Sequence, residues 1–334
     1  MIPHSLEQLR ALALSQFSRE DFSLETLRHI VLSRPLLKQL CEDSDREEIG
    51  RWLAQLPCPV IGIGSEPQEP QLYGPCDAVA WTDAELSVIL ANIERAPLAA
   101  MVLVQVLRTT AALPVVDALT VESLAYATLQ AGPEHGAWLR TRNRAETAAA
   151  RTEGPPVLIE RAGDRLAIRL NRPERLNALS VEVRDALCEA LQLVVADPAI
   201  GPVYISGAGR CFSIGGDLSE FGAASDPATA HAVRSVRLPA FFLSRCADRV
   251  EFRLHGACIG AGVELPAFAQ RVVAARNSFF QLPEIRFGLI PGAGGCVSLP
   301  RRIGRQRTAW LALSARRITA ATALEWGLVD ELVD

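Results

Sequence analysis

"FSIGGDL" at residues 212 to 218 and "IGAGVELP" at 259 to 266 decide how the chain is read. Each is a glycine-rich turn that runs into an acidic residue and then a hydrophobic one. Gly215 and Gly216 allow a tight backbone turn and bring bare N–H groups close to a partner with no side chain between. The second turn, Gly260 to Gly262, precedes residues from Val263 onward that read as the start of a helix, so its N–H groups lie near a positive dipole end. Two such donors converging on one point would form an oxyanion hole. Neither turn is a dinucleotide fingerprint, because neither completes G-x-G-x-x-G with an acid about twenty residues on.

The flanking sequence alternates strand and helix signals. "RLAIRL" (165 to 170) is followed by a helix that Ser180 caps, then by "PVYISG", "RVEFRLHG" and "RVVAA". An α/β layer structure is predicted. Residues 1 to about 150 are mostly helical instead, with Leu6, Leu9, Leu12 and Ala13, and again Leu86, Ile89, Leu90 and Ile93, at helical spacing. "TDAE" at 82 to 85 has the form of a capping box. Strand signals stand at "PCPVIGIGS" (57 to 65) and "CDAVA" (76 to 80), and these two segments are candidates to pair. "NRAETAAARTEGPPV" (143 to 157) loses periodicity and suits a linker. Three regions are expected: a helical extension over 1–75 with a strand near 58–64, a helical region over 76–152, and an α/β core over 153–334.

With 334 residues, 49% of them apolar, the chain can bury a large core. A net charge of −4 without a basic run provides no footprint for nucleic acid or an anionic membrane. The start lacks a signal-peptide pattern and no segment has eighteen uncharged apolar residues in a row, so a cytoplasmic protein is expected. The eight cysteines have neither C-x-x-C pairing nor metal-ligand spacing, which predicts free buried thiols and no metal site.

Four motifs in order, "RLNRPERLNALS" (169 to 180), "GRCFSIGGDL" (209 to 218), "HGACIGAGVELPAFAQRVVAA" (255 to 275) and "FFQLPEIRFGLIPGAGGCVSLPRRIG" (279 to 304), resemble the crotonase superfamily, the enoyl-CoA hydratase/isomerase family. The resemblance implies a crotonase-like spiral of ββα units and acyl-CoA thioester substrates, with coenzyme A as part of the substrate and no separate cofactor. It implies backbone N–H donors at Gly216 and Ala261 that hold a thioester oxygen as it becomes enolate-like. Ala261 stands where relatives have a glycine, and its methyl is expected to crowd the pocket. Ile214, Gly215 and Asp217 belong to the same substrate-facing turn, with Asp217 setting the turn or meeting the CoA side. "PERLNAL" is expected near the nucleotide, with Leu176 and Ala178 lining it and Arg175 either a phosphate contact or a solvated charge.

Glu264 and Glu284 match the two glutamates of the family's hydratases. Adding water across an α,β-unsaturated thioester needs one carboxylate to take a proton from water and a partner to supply one to the α-carbon, whereas moving a double bond needs only one. A glutamate in apolar surroundings has its pKa raised toward neutrality, where it can both take and give protons. Gly292 in "PGAGG" either offers a further N–H near the attacking water or simply opens a helix. His255 stands where relatives usually carry Asn and is assigned a packing or hydrogen-bonding role. Hydration of a 2-enoyl-CoA is the expected reaction. Isomerisation, cofactor-free oxygenation, C–C hydrolysis and a non-catalytic acyl-CoA-binding role are the alternatives.

Members of this family normally continue past "GLVDELV" into helices that close the acyl pocket and form a trimer or hexamer. Residues 76 to 144 resemble that tail, which implies a circular permutation in which the closing helices precede the core. The competing reading is an unrelated helical extension. Helices from 82 to 144 packed over Glu264 and Glu284 would favour permutation.

Overall fold

The computed structural model describes residues 5–14, 28–64, 70–141, 154–224 and 226–334. Most of the linker expected at 143 to 157 therefore lies outside the described residues.

A six-stranded sheet forms the base of the C-terminal half, in the order Glu331–Val333, Arg271–Ala275, Val250–Leu254, Val203–Gly207, Arg165–Leu170, Val157–Ala162. Every pair is parallel except the hairpin between 157–162 and 165–170. Along Arg165–Leu170 buried and exposed residues alternate strictly, so Leu166, Ile168 and Leu170 face inward while Arg165 and Arg169 stay in water. The helix Val181–Ala196 buries Val183, Leu187, Leu191 and Val194 in the same core. Its first turn is capped as expected, the Ser180 hydroxyl accepting from the Val183 N–H.

A second sheet of short strands, Ile318–Thr319, Phe279–Gln281 and Ala257–Ile259, stands beside the first. Each long strand at 250–254 and 271–275 is followed by one of these short strands and then by a helical turn, which is the ββα repeat of the expected spiral.

A third sheet of three parallel strands, Ile30–Leu32, Val60–Ile63 and Ala78–Ala80, lies in the N-terminal half. The segments expected at 57–65 and 76–80 do pair, in parallel, so the chain between them is a crossover and not a hairpin. The strand at 30–32 carries too short an apolar run to be distinguished from the helical pattern around it. In the capping box, Thr82 accepts from the Glu85 N–H, but the Glu85 carboxylate reaches the N–H of Trp81 rather than that of Thr82.

The helices Asp83–Arg95 and Pro97–Thr110 meet at 107° at Ala96, where Pro97 cannot donate to continue the first helix. Val115–Gln130 and Pro133–Thr141 follow. Among the described residues no single helix is long and apolar enough to cross a membrane. Leu103, Leu107, Ala118 and Leu129 belong to the same continuous hydrophobic core as Leu166, Phe252 and Leu311. Asp77, 1% exposed, ties the two halves together: it accepts from Arg108 and from Arg305 and also receives the Val60 N–H. All eight cysteines are free thiols, seven of them buried.

Candidate active site

The two glycine turns pack back to back. Gly215 has φ +86°, and a Cβ there would lie 2.7 Å from the Ile259 carbonyl oxygen and 3.3 Å from the Cα of Gly260. A Cβ on Gly262 would lie 2.6 Å from the Ser213 carbonyl oxygen. Neither position has room for a side chain, which is why two such turns occur in one chain. Ser213 pairs with Cys258 between them, with the Ile259 N–H donating to the Ser213 carbonyl at 3.0 Å.

Behind the first turn, residues 176 to 179 act as a brace. Leu179 N–H donates to the Gly215 carbonyl at 2.7 Å and Ile214 N–H to the Leu176 carbonyl at 3.2 Å. Leu176 and Asn177 both adopt positive φ, +55° and +51°. Asn177 is fully buried and holds that conformation through its side chain, accepting from the Arg172 N–H and donating to the carbonyls of Ala208, Cys211 and Phe212. Sequence reading named Leu176 and Ala178 but missed Asn177, whose role depends on partners distant in the chain.

Among the described residues neither the Gly216 N–H nor the Ala261 N–H donates to a protein acceptor. Ala261 is 5% exposed and opens a single helical turn, Ala261–Glu264, which begins two residues earlier than expected. The Phe221 ring covers Gly216, 3.0 Å from where a Cβ would stand. Arg175 pairs with Asp217 at 2.7 Å, its side chain one-third exposed, and also donates to the Ser219 hydroxyl. Asp217 caps the next turn by accepting from the Ser219 N–H at 2.9 Å, so it sets its turn. His255 binds the Gly209 carbonyl through Nε2 at 2.9 Å, the hydrogen-bonding role expected of it.

Glu264 and Glu284 come together beside Gly260. From the position a Cβ on Gly260 would take, Glu284 Oε1 is 2.7 Å away and Glu264 Oε1 4.0 Å. Glu264 is 2% exposed, and its Oε2 accepts from the N–H groups of Ala293 at 2.7 Å and Gly295 at 2.9 Å. Burial pushes its pKa up to about 7 against the pull of these amides and that of Gly292. Glu284 lies in the short helix Glu284–Phe287, and its Oε2 is buried without a hydrogen-bond partner among the described residues. Burial, and then the charge of Glu264, hold its carboxyl well above the usual range.

The N-terminal half covers this pair. The ring of Tyr126, on the 115–130 helix, lies against Gly292, and the 133–141 helix brings Trp138 within 4.8 Å of Phe287, centroid to centroid. His135 binds the Phe287 carbonyl through Nδ1 at 2.9 Å. The 115–130 helix also supplies what sequence reading missed. Glu122, 1% exposed, accepts from the N–H groups of Gly294 and Cys296, each at 2.7 Å. The sequence signal for it was a glutamate at helical spacing from Ala118, Leu119 and Leu129.

Residues 163–334 match the family model described as enoyl-CoA hydratase/isomerase. The chain is 34% identical over 175 residues to 1,2-epoxyphenylacetyl-CoA isomerase of Escherichia coli, covering 51% of this chain and 66% of that protein. It is 35% identical over 179 residues to 2,3-dehydroadipyl-CoA hydratase of the same organism, covering 53% and 68%. The chain thus spans about two thirds of the length of these relatives. A solved enoyl-CoA hydratase/isomerase from Mycobacterium paratuberculosis superposes with a TM-score of 0.51 at 30% identity, over 54% of this chain and 74% of that one.

Proposed function

Because the chain belongs to the crotonase (enoyl-CoA hydratase/isomerase) family through residues 163–334, we propose that it processes an acyl-CoA thioester through an enolate, and that its reaction is hydration of a 2-enoyl-CoA. The observation that carries this is the meeting of Glu264 and Glu284 beside Gly260, next to the N–H groups of Gly216 and Ala261.

In this mechanism the thioester oxygen accepts from those two amides. Glu264, anchored on one oxygen and titrating near neutrality, takes a proton from water as the water oxygen bonds to the β-carbon. The π electrons move onto the thioester oxygen, where the two amides stabilise the charge without having to reorient. Glu284, kept protonated by burial and by its neighbour, delivers a proton to the α-carbon. One proton is taken up and one supplied, so the pair exchanges roles for the reverse reaction. Two intact carboxylates favour hydration over isomerisation, which needs one. Ile214, Gly215, Leu176 and Ala178 border the thioester, and Gly292 lies on the water side. Arg175 reaches the CoA phosphates from its exposed edge.

The packing of the 115–130 and 133–141 helices over the two glutamates supports the permuted arrangement, in which residues 76–144 close the pocket from the N-terminal side. A trimer or hexamer and a cytoplasmic location belong to the same proposal, the former checked by sedimentation velocity. The deciding experiment is exchange of the α-proton of a saturated acyl-CoA with deuterated solvent, alongside hydration of crotonyl-CoA and of longer and aromatic enoyl-CoAs. Exchange and hydration that are lost in both Glu264→Gln and Glu284→Gln support the mechanism. Activity unchanged in both variants removes it.

A further inference from the structure

Four consecutive N–H groups, those of Ala293, Gly294, Gly295 and Cys296, are taken alternately by two carboxylates. Glu264 Oε2 accepts the first and third, and Glu122 Oε1 and Oε2 accept the second and fourth. The helix Gly295–Ile303 begins here, and the first amides of a helix have no partner inside it. A side chain at the N-cap would ordinarily satisfy one, but that position is Gly294 with φ +105°. No side chain fits there, since a Cβ would lie 2.5 Å from the Phe268 ring and 2.8 Å from the Ala240 Cβ. A Cβ on Gly295 would likewise strike the Cγ of Glu264 at 2.6 Å. Positions 294 and 295 must be glycine, and the amides of the run must be held from outside.

Glu122 does this from the 115–130 helix, which lies outside the residues the family model matches. That helix is fixed in turn against the 227–236 helix, where Arg234 donates to the hydroxyl and carbonyl of Ser123 and lies over the Tyr126 ring.

We propose that Glu122 is a positioning residue for Glu264. By taking the Gly294 and Cys296 amides it holds the run in the register that turns the Ala293 and Gly295 amides onto Glu264 Oε2, leaving Oε1 directed toward Gly260 and Glu284. The kinetic part of this inference rests on the function proposed above; the clamp itself does not.

The test uses the full chain and Glu122→Gln, which keeps the volume but sets an NH2 donor against one of the two amide donors. The expected result is a fall in kcat for crotonyl-CoA hydration of about 10²-fold, the scale of a misplaced catalytic group, with KM changed by less than about threefold. Hydrogen–deuterium exchange read by mass spectrometry should show faster exchange in peptides spanning 290–299 and none elsewhere. Thr120→Ala, an exposed change on the same helix that touches neither the amides nor the 227–236 helix, should leave both readouts as in the wild type. A kcat within about twofold of wild type, unchanged protection of 290–299, or equal losses in Thr120→Ala each overturns the proposal. Should the wild-type protein neither hydrate nor exchange any acyl-CoA, the proposed function fails, and protection of 290–299 alone decides whether Glu122 clamps the run.

Discussion

Tyr126 occupies the space that any side chain on Gly292 would need: a Cβ there would lie 2.3 Å from the ring Cδ2. The N-terminal half and the glycine run beside Glu264 therefore fit each other at a single carbon. Gly292→Ala should destabilise the protein by about 1–3 kcal/mol, the usual cost of overpacking. Tyr126→Leu should recover part of that loss, and a double-mutant cycle by urea denaturation should give a coupling above about 0.5 kcal/mol. Additive effects would mean that the contact carries no energy.

Glu264→Gln and Glu284→Gln should each lower kcat by about 10²–10⁴-fold, the range of general acid–base catalysis. Thermal melts should show both variants folded, since the amide matches the carboxyl in size and carries no charge for burial to oppose. A variant that retains wild-type kcat would exclude that residue from proton transfer.

With Glu264 pushed up to about 7, kcat/KM should rise with pH as this group loses its proton and level off above neutrality. Stability should move the opposite way. The folded state binds a proton more tightly than the unfolded chain, so the contribution of Glu264 is fully present below its ordinary range near 4.5 and is lost as pH rises through about 7. The loss is on the order of 3 kcal/mol. Urea titrations of Glu264→Gln between these limits should show a correspondingly flatter pH dependence, and an identical slope would contradict the assignment.

Asp77→Ala should cost about 3–5 kcal/mol, because it strands Arg108 and Arg305 at a junction built around one buried carboxylate. The melting temperature reports this directly. A drop no larger than that of an exposed pair such as Arg276–Asp334 would show that water replaces Asp77 without penalty.

The α/β core was legible because its signals are local. Leu166, Ile168 and Leu170 alternate with Arg165, Ala167 and Arg169, Ser180 stands where a cap belongs, and each glycine turn is a short string. Glu264 and Glu284 were legible through the motifs around them. Glu122 was not, because a lone glutamate on a helix normally faces water, and only the amides of Gly294 and Cys296, supplied from the far half of the chain, give it a reason to be buried. Asn177 escaped notice for the same reason. The strand Ile30–Leu32 was hidden because three residues are too few to show a period of two. The start of the second helical turn was misplaced by two residues because Gly260, with φ +52°, ends the strand earlier than the apolar pattern indicates.

The shared core has a consequence for how the chain is made. Leu103 and Leu107 lie on a helix that packs against 295–303 and 305–314, so the first half synthesised finds its covering surface only when the last segments emerge. Translation delivers the helices of the N-terminal half first and their support last. For most of its synthesis the nascent chain must carry that apolar face uncovered. A chaperone that shields it, or a pause before residue 295, would raise the yield of active protein without changing the stability of the finished fold.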